Sequence, residues 1–205
     1  HEYCNYVQCV EGGIDTCHGS FLHNNDLSDL TSFHRIDRAP QLDIERTSYG
    51  FRYVGLRDIG EIGTYLRLYQ FIMPFHQFRS QQIVRRKGKG RNEIPIQKGH
   101  MWVPMDDHNT MIYNWMLAVD EDKPLTQEFV ENQENSGGRG PNGGTTPRHR
   151  TRENDWLIYR RVQRTKTYTG IGGGNNQDLA VQESMGAVVD RSRGNLRTPD
   201  KAINT

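Results

Sequence analysis

From Leu42 onward, polar and apolar side chains alternate, the period of a strand with one face buried. LDIERTSYGFRYVGLRDI reads as strand, turn at Ser48-Tyr49-Gly50, strand. The run from Thr64 to Phe78 keeps alternating until Pro74, whose missing N–H predicts a sheet edge or a bulge there. GHMWVPM and MIYNWMLAVD flank Asp106-Asp107-His108-Asn109, a polar cluster that predicts a hairpin turn. Between the hairpins, Arg85 to Arg91 (RRKGKGR) has no strand-to-helix glycine motif beside it. It reads as a solvated hairpin tip rather than a phosphate cradle.

The two ends of the chain follow a different period. Val7, Val10, Ile14, His18 and Phe21 recur at spacings of three or four, so residues 1–30 read as mostly helical. Gly12 and Gly13 weaken that helix but permit a close backbone approach. Residues 126–154, with SGGRGPNGG at their heart, read as a long polar loop. NDWLIYRRVQ, with Asn154 as its cap, and Asp178 to Met185 read as helices, separated by a flexible Gly170–Gly174 turn. No internal repeat is visible. The pattern predicts one α+β domain over residues 1–205, a curved antiparallel sheet with helices packed on one face.

Composition narrows the functional class. Twenty-six Lys and Arg stand against 25 Asp and Glu in 205 residues, a balance that does not point to nucleic acid or an anionic membrane as partner. No apolar run approaches the roughly 20 residues of a membrane helix. The polar start, HEYCNY, has neither a signal-peptide pattern nor an initiating Met, so we expect a cytoplasmic piece of a longer chain. Cys4, Cys9 and Cys17 form an odd set without a C-x-x-C, which fits free thiols in a reducing compartment.

The candidate chemistry lies in EGGIDTCHGSFLH, Glu11 to His23, with Asp15, His18 and His23 in a D-x2-H-x4-H spacing. Two imidazoles joined by one carboxylate can grip one face of an octahedral metal and leave the other open, the facial arrangement of non-haem Fe(II) oxygenases. The plainer alternative is a solvated or hydrogen-bonded histidine pair. On a regular helix His18 and His23 would diverge by about 140°. A shared metal therefore requires the helix to bend or end between them, as Gly19 and Asn24-Asn25-Asp26 allow. Cys17 as a ligand would close the open face, so it reads as a small buried neighbour. The missing carboxylate would come from the Asp178–Met185 run, as Asp178 or Glu183.

NYVQCVEGGIDTCHGSFLH (Asn5–His23) resembles the iron-binding segment of the Rieske-type ring-hydroxylating oxygenases, large subunit, in the phthalate 4,5-dioxygenase-like group. NNQDLAVQESMGAVVDRSRGNLRTPDKAI (Asn175–Ile203) resembles that group's C-terminal signature. The resemblance implies a helix-grip fold and mononuclear Fe(II) held by His18, His23 and Asp178. It also implies that Asp15 links to the Rieske domain of a neighbouring subunit. A Rieske [2Fe-2S] cluster needs C-x-H and C-x-x-H, and neither occurs here, so that domain is expected upstream in the full-length protein. The end at Thr205 likewise looks clipped, since the family runs on into a further helix.

The implied reaction is cis-dihydroxylation, monohydroxylation or O-demethylation of an aromatic compound, with an aromatic carboxylate the favoured substrate. It uses dioxygen and electrons passed from NAD(P)H through a reductase, in a homotrimer or hexamer. Arg35, Arg52, Arg67 and Arg79 are candidates to bind the substrate carboxylate. Phe75, His76, Phe78, Met101, Trp102 and Trp115 are candidates to line the pocket, and Asn5, Gln8 and Glu11 to support the ligands. One rival is a metal-free helix-grip ligand-binding module. A cupin-type dioxygenase is disfavoured, because no His here has an acid two residues on.

Overall fold

A computed structural model describes residues 1–24, 26–27, 33–85, 91–93, 96–137 and 149–205. Asn25, the basic stretch at 86–90 and most of the glycine-rich stretch (138–144) lie outside the described residues. Seven strands form one antiparallel sheet: β1 (Gln41–Thr47), β2 (Gly50–Asp58), β3 (Gly63–Ile72), β4 (His76–Arg85), β5 (Arg91–Glu93), β6 (Ile96–Asp106) and β7 (Asn109–Ala118). The order is β1-β2-β3-β4-β6-β7; β5 and β6 pair with successive stretches of β4, and every other pairing joins neighbours in sequence as a hairpin. The first hairpin turns where expected and needs glycine at position 50. Its φ is +147°, and a Cβ there would meet the Phe71 carbonyl oxygen at 2.3 Å. At the β6–β7 turn, Asp106 accepts from the His108 N–H at 2.8 Å. Pro74 corrects one expectation. It occupies the β3–β4 turn behind a cis peptide, and the strands pair right up to it, Ile72 opposite His76. It therefore marks neither an edge nor a bulge.

The helical start is shorter than its periodicity suggests. α1 spans Tyr6–Ile14, its first turn capped by the Asn5 side chain accepting from the Val7 N–H at 3.0 Å. It lays Cys9, Val10 and Ile14 against Phe51, Tyr53, Tyr69, Phe71 and Trp102 on one face of the sheet. The period-two pattern places those aromatics on that face, with Tyr53 and Tyr69 stacked at 4.4 Å. The carbonyls of the last turn of α1 have no partner within the helix. The sheet supplies them: the Tyr53 hydroxyl donates to Ile14 O at 2.9 Å and the Gln77 amide to Gly13 O at 2.8 Å. α1 ends there, His18–Ser20 form a separate turn of 3₁₀ helix, and a short α2 follows at Phe33–Ile36.

The second half departs more from expectation. The stretch read as a loop at 126–154 contains α3, Gln127–Gly137. The run NDWLIYRRVQ is no continuous helix. A 3₁₀ segment at Arg152–Leu157 is broken by positive φ at Asp155, Trp156 and Leu157, and a short α4 follows at Arg160–Thr165. Thr151, not Asn154, is the capping residue, and Asn154 completes its capping box. The kink drives Trp156 into a second small core with Ile171 and Ala180, where its indole N–H donates to Glu183 at 2.9 Å. Arg150 donates to the Trp156 carbonyl at 2.7 Å. α5 spans Gly174–Ser184, so Asp178 lies inside this helix rather than opening it. None of the described helices is long and apolar enough to cross a membrane.

Gly13 tests how tightly α1 sits on the sheet. A Cβ at this position would lie 2.1 Å from the buried Trp102 ring, whereas one at Gly172 would meet nothing within 4 Å. Gly13→Ala should cost about 1–3 kcal/mol of unfolding free energy despite the better helix propensity of Ala. Gly172→Ala should change it by less than about 1 kcal/mol. Chemical denaturation of both variants reads the difference.

Candidate metal centre

At the end of α1 the backbone of Asp15 turns out of the helix (φ −59°, ψ 126°). Its carboxylate accepts from the N–H groups of Cys17 (2.6 Å) and His18 (3.0 Å), and so caps the short turn that carries His18. Burial raises the Asp15 pKa, and these two N–H donors oppose the rise. The Asp15 carboxylate is not the acceptor that orients the His18 ring. Its backbone carbonyl is, 2.9 Å from Nδ1, while the carboxylate oxygen stands 3.8 Å away.

His23 is oriented from the other end of the chain. Its Nδ1 lies 2.7 Å from Gln177 Oε1, and the Gln177 amide nitrogen donates to Ile171 O at 2.8 Å. That second bond fixes which way the fully buried amide points. A carbonyl and an amide oxygen only accept, so each imidazole carries its proton on Nδ1 and turns the Nε2 lone pair outward.

Those lone pairs meet. The two Nε2 atoms are 3.2 Å apart, and Asp178 Oδ1 is 3.3 Å from that of His23 and 3.7 Å from that of His18. Donors about 2.1 Å from a metal and at right angles to one another sit about 3.0 Å apart. The three atoms stand somewhat wider than that, close enough to share one cation after a small closure, and they form one of two groups able to hold a metal among the described residues. Without a cation, two lone pairs and a carboxylate oxygen would face one another. Burial pushes the His18 pKa down to about 4, opposed by Asp178 and reinforced by His23, which keeps the ring neutral and able to bind metal at pH 7. All three side chains keep roughly 30% of their surface exposed, on the side facing a cavity of about 1120 Å³. Glu183, the rival carboxylate, points away and accepts from the Tyr3 N–H and the Trp156 indole. Cys17 stands outside the group, its thiol pushed up to about 11 by burial.

Another wall of the cavity is the helix-facing side of the sheet. Arg79 on β4 lies opposite Tyr69 on β3 and Lys98 on β6, and Arg67 follows two positions from Tyr69 on the same face. Arg67, Arg79 and Lys98 all border the cavity. Arg67 sits over the Tyr69 ring at 5.4 Å. Burial and the neighbouring Arg67 lower Arg79 to about 10, and Lys98, lowered the same way, donates to Gln133. Among the described residues no carboxylate forms an ion pair with any of the three.

The other arginine candidates lie elsewhere: Arg52 pairs with Glu45 at 2.8 Å and Arg35 donates to Leu27 O. Trp102 and Trp115 border the cavity, but Phe75, His76, Phe78 and Met101 do not. Gln8 bonds to Gln182 O, Gly186 O and the Val189 N–H, and Glu11 pairs with Arg191. With Asn5 bonded to Asp107 O, these residues tie α1 to its surroundings and do not touch the imidazoles. Gln177, which the sequence reading passed over, is the one that orients a ligand. Its signal was its place just before Asp178.

Comparison with known proteins assigns the chain to a family. The chain is 30% identical to the phthalate 4,5-dioxygenase oxygenase subunit of Pseudomonas putida, over 98% of this chain and 46% of the relative. It is also 30% identical to the 3-chlorobenzoate-3,4-dioxygenase oxygenase subunit of Comamonas testosteroni, over 97% of this chain and 48% of the relative. The chain spans about half the length of these curated relatives. The LigXa C-terminal domain-like family model matches residues 1–205, and the chain belongs to that family.

Proposed function

We propose that this chain is the mononuclear Fe(II) catalytic part of an oxygenase that hydroxylates an aromatic carboxylate. The observation that carries the reading is the convergence of His18, His23 and Asp178, both rings held in the metal-binding tautomer, at the edge of a large cavity. It counts against a metal-free binding module, which would have no need to aim two lone pairs at each other. When bound, Fe(II) would supply the open coordination positions at which dioxygen is activated.

The chain's own residues do the rest. His18 and His23 hold neutral nitrogen donors in place, and Asp178 balances part of the metal's charge. Trp102 and Tyr69 give the cavity apolar, aromatic walls. Arg67, Arg79 and Lys98, which line the same cavity, offer a carboxylate three cations, held by burial at a cost that a bound anion would offset. The relatives' names, phthalate and 3-chlorobenzoate dioxygenases, each denote an aromatic carboxylate and agree with that charge. In this reading electrons come from NAD(P)H through a reductase and a Rieske [2Fe-2S] cluster in the full-length protein. They enter at Asp15 from a neighbouring subunit of a cytoplasmic homotrimer or hexamer. The product is a cis-dihydrodiol, a phenol or an O-demethylated arene.

Three measurements test the reading. After anaerobic loading with Fe(II), wild type should retain one iron per chain and Asp178→Ala about a tenth of that or less. Full retention in the variant would remove Asp178 from the ligand set. Gln177→Leu should weaken Fe(II) binding about 10- to 100-fold by freeing the His23 ring, read by competition with a chelator. Arg79→Met should leave iron content unchanged and weaken binding of a benzoate-type ligand by about 1.5–3 kcal/mol, with little effect on an uncharged arene of the same shape. Equal loss for both ligands would place the effect on shape rather than charge.

A further inference from the structure

Behind α1 lies a second convergent group. Glu2, Cys4 and Cys9 bring a carboxylate oxygen and two sulfurs together, and all three side chains are buried. The sulfurs are 3.6 Å apart, and Glu2 Oε2 is 3.3 Å from Cys9 Sγ and 3.9 Å from Cys4 Sγ. In a tetrahedral zinc site with Zn–S of about 2.3 Å and Zn–O of about 2.0–2.2 Å, the sulfurs would be about 3.8 Å apart and each sulfur–oxygen edge about 3.5 Å. The observed triangle matches one face of such a site to within about 0.4 Å.

Two further features point to a cation. Among the described residues, the side-chain hydrogen bonds of the Glu2 carboxyl come only from the two thiols, which are weak donors for so buried an acid. Burial raises the Glu2 pKa to about 8, and Glu183 and Asp178 add negative potential there, against which the N-terminal amine acts. The frame is rigid. Glu2 exchanges backbone hydrogen bonds with Thr110 of β7 at 2.8 and 3.0 Å, and the Thr110 hydroxyl donates to Cys4 O at 2.8 Å. Cys9 is fixed within α1.

We propose that Glu2, Cys4 and Cys9 bind a thiophilic divalent cation, Zn(II) being the type, at a site separate from His18, His23 and Asp178. Thiolate and carboxylate suit zinc, and water completes the four-coordinate shell. The ion would join the N-terminal segment, β7 and α1, the helix whose end sets Asp15 and His18.

The test uses the intact protein, first loaded with Fe(II) to fill the histidine group and then titrated with Zn(II). X-ray absorption at the zinc edge reads the shell without any variant. The expected result is one additional zinc per chain that survives a mild chelator wash, with two sulfurs at about 2.3 Å and lighter atoms beside them. Cys9→Ser should abolish that zinc and leave the iron in place. A shell of nitrogen and oxygen alone, the same two-sulfur shell persisting in Cys9→Ser, no retained zinc, or a Cys4–Cys9 disulfide in the freshly isolated protein would each overturn the assignment.

Discussion

The candidate site rests on two hydrogen bonds made at the backs of two imidazoles. One runs from His18 to the Asp15 carbonyl, the other from His23 to the Gln177 amide. Each acceptor lacks a proton to give, so each decides where the ring keeps its own. Without them the rings could rotate or change tautomer, and the 3.2 Å approach of their front nitrogens would become an ordinary hydrogen bond. With them it becomes an unsatisfied arrangement that a cation resolves. The local backbone serves this outcome. α1 stops at Ile14 because the sheet takes up its last carbonyls, and the carboxylate of Asp15 then starts the turn that brings His18 around.

The sheet contributes through its alternation. One face is aromatic where α1 rests on it and cationic where it meets the cavity. Arg67, Arg79 and Lys98 come from three different strands and meet only because the hairpin registers place them on the same side. A slip of one residue in β4 would send Arg79 to the opposite face. The register is therefore a functional constraint as well as a structural one.

Much of this was legible in the sequence. Alternation announces the strands from Leu42 onward, and the short spacing of His18 and His23 marks them as candidate ligands, which the structure brings together with Asp178. What escaped had physical reasons. Pro74 predicts an edge or a bulge because composition alone does not separate a turn proline from an edge proline. α3 was read as a loop because its Glu, Gln and Asn side chains carry no apolar stripe. The break at Asp155–Leu157 was invisible because three consecutive non-glycine residues there adopt positive φ, against their own preferences, to bury Trp156. Gln177, and Lys98 beside Arg79, depend on contacts between separate elements, which no local period encodes.

The His23–Gln177 bond joins residues 154 positions apart. At about 5–20 residues per second, a ribosome adds that length in roughly 8–30 s. Throughout that interval the histidines exist without their amide or their acid, and every intervening strand must find its register before α5 can dock. The side chains of the candidate site can therefore converge only after α5 has been synthesised.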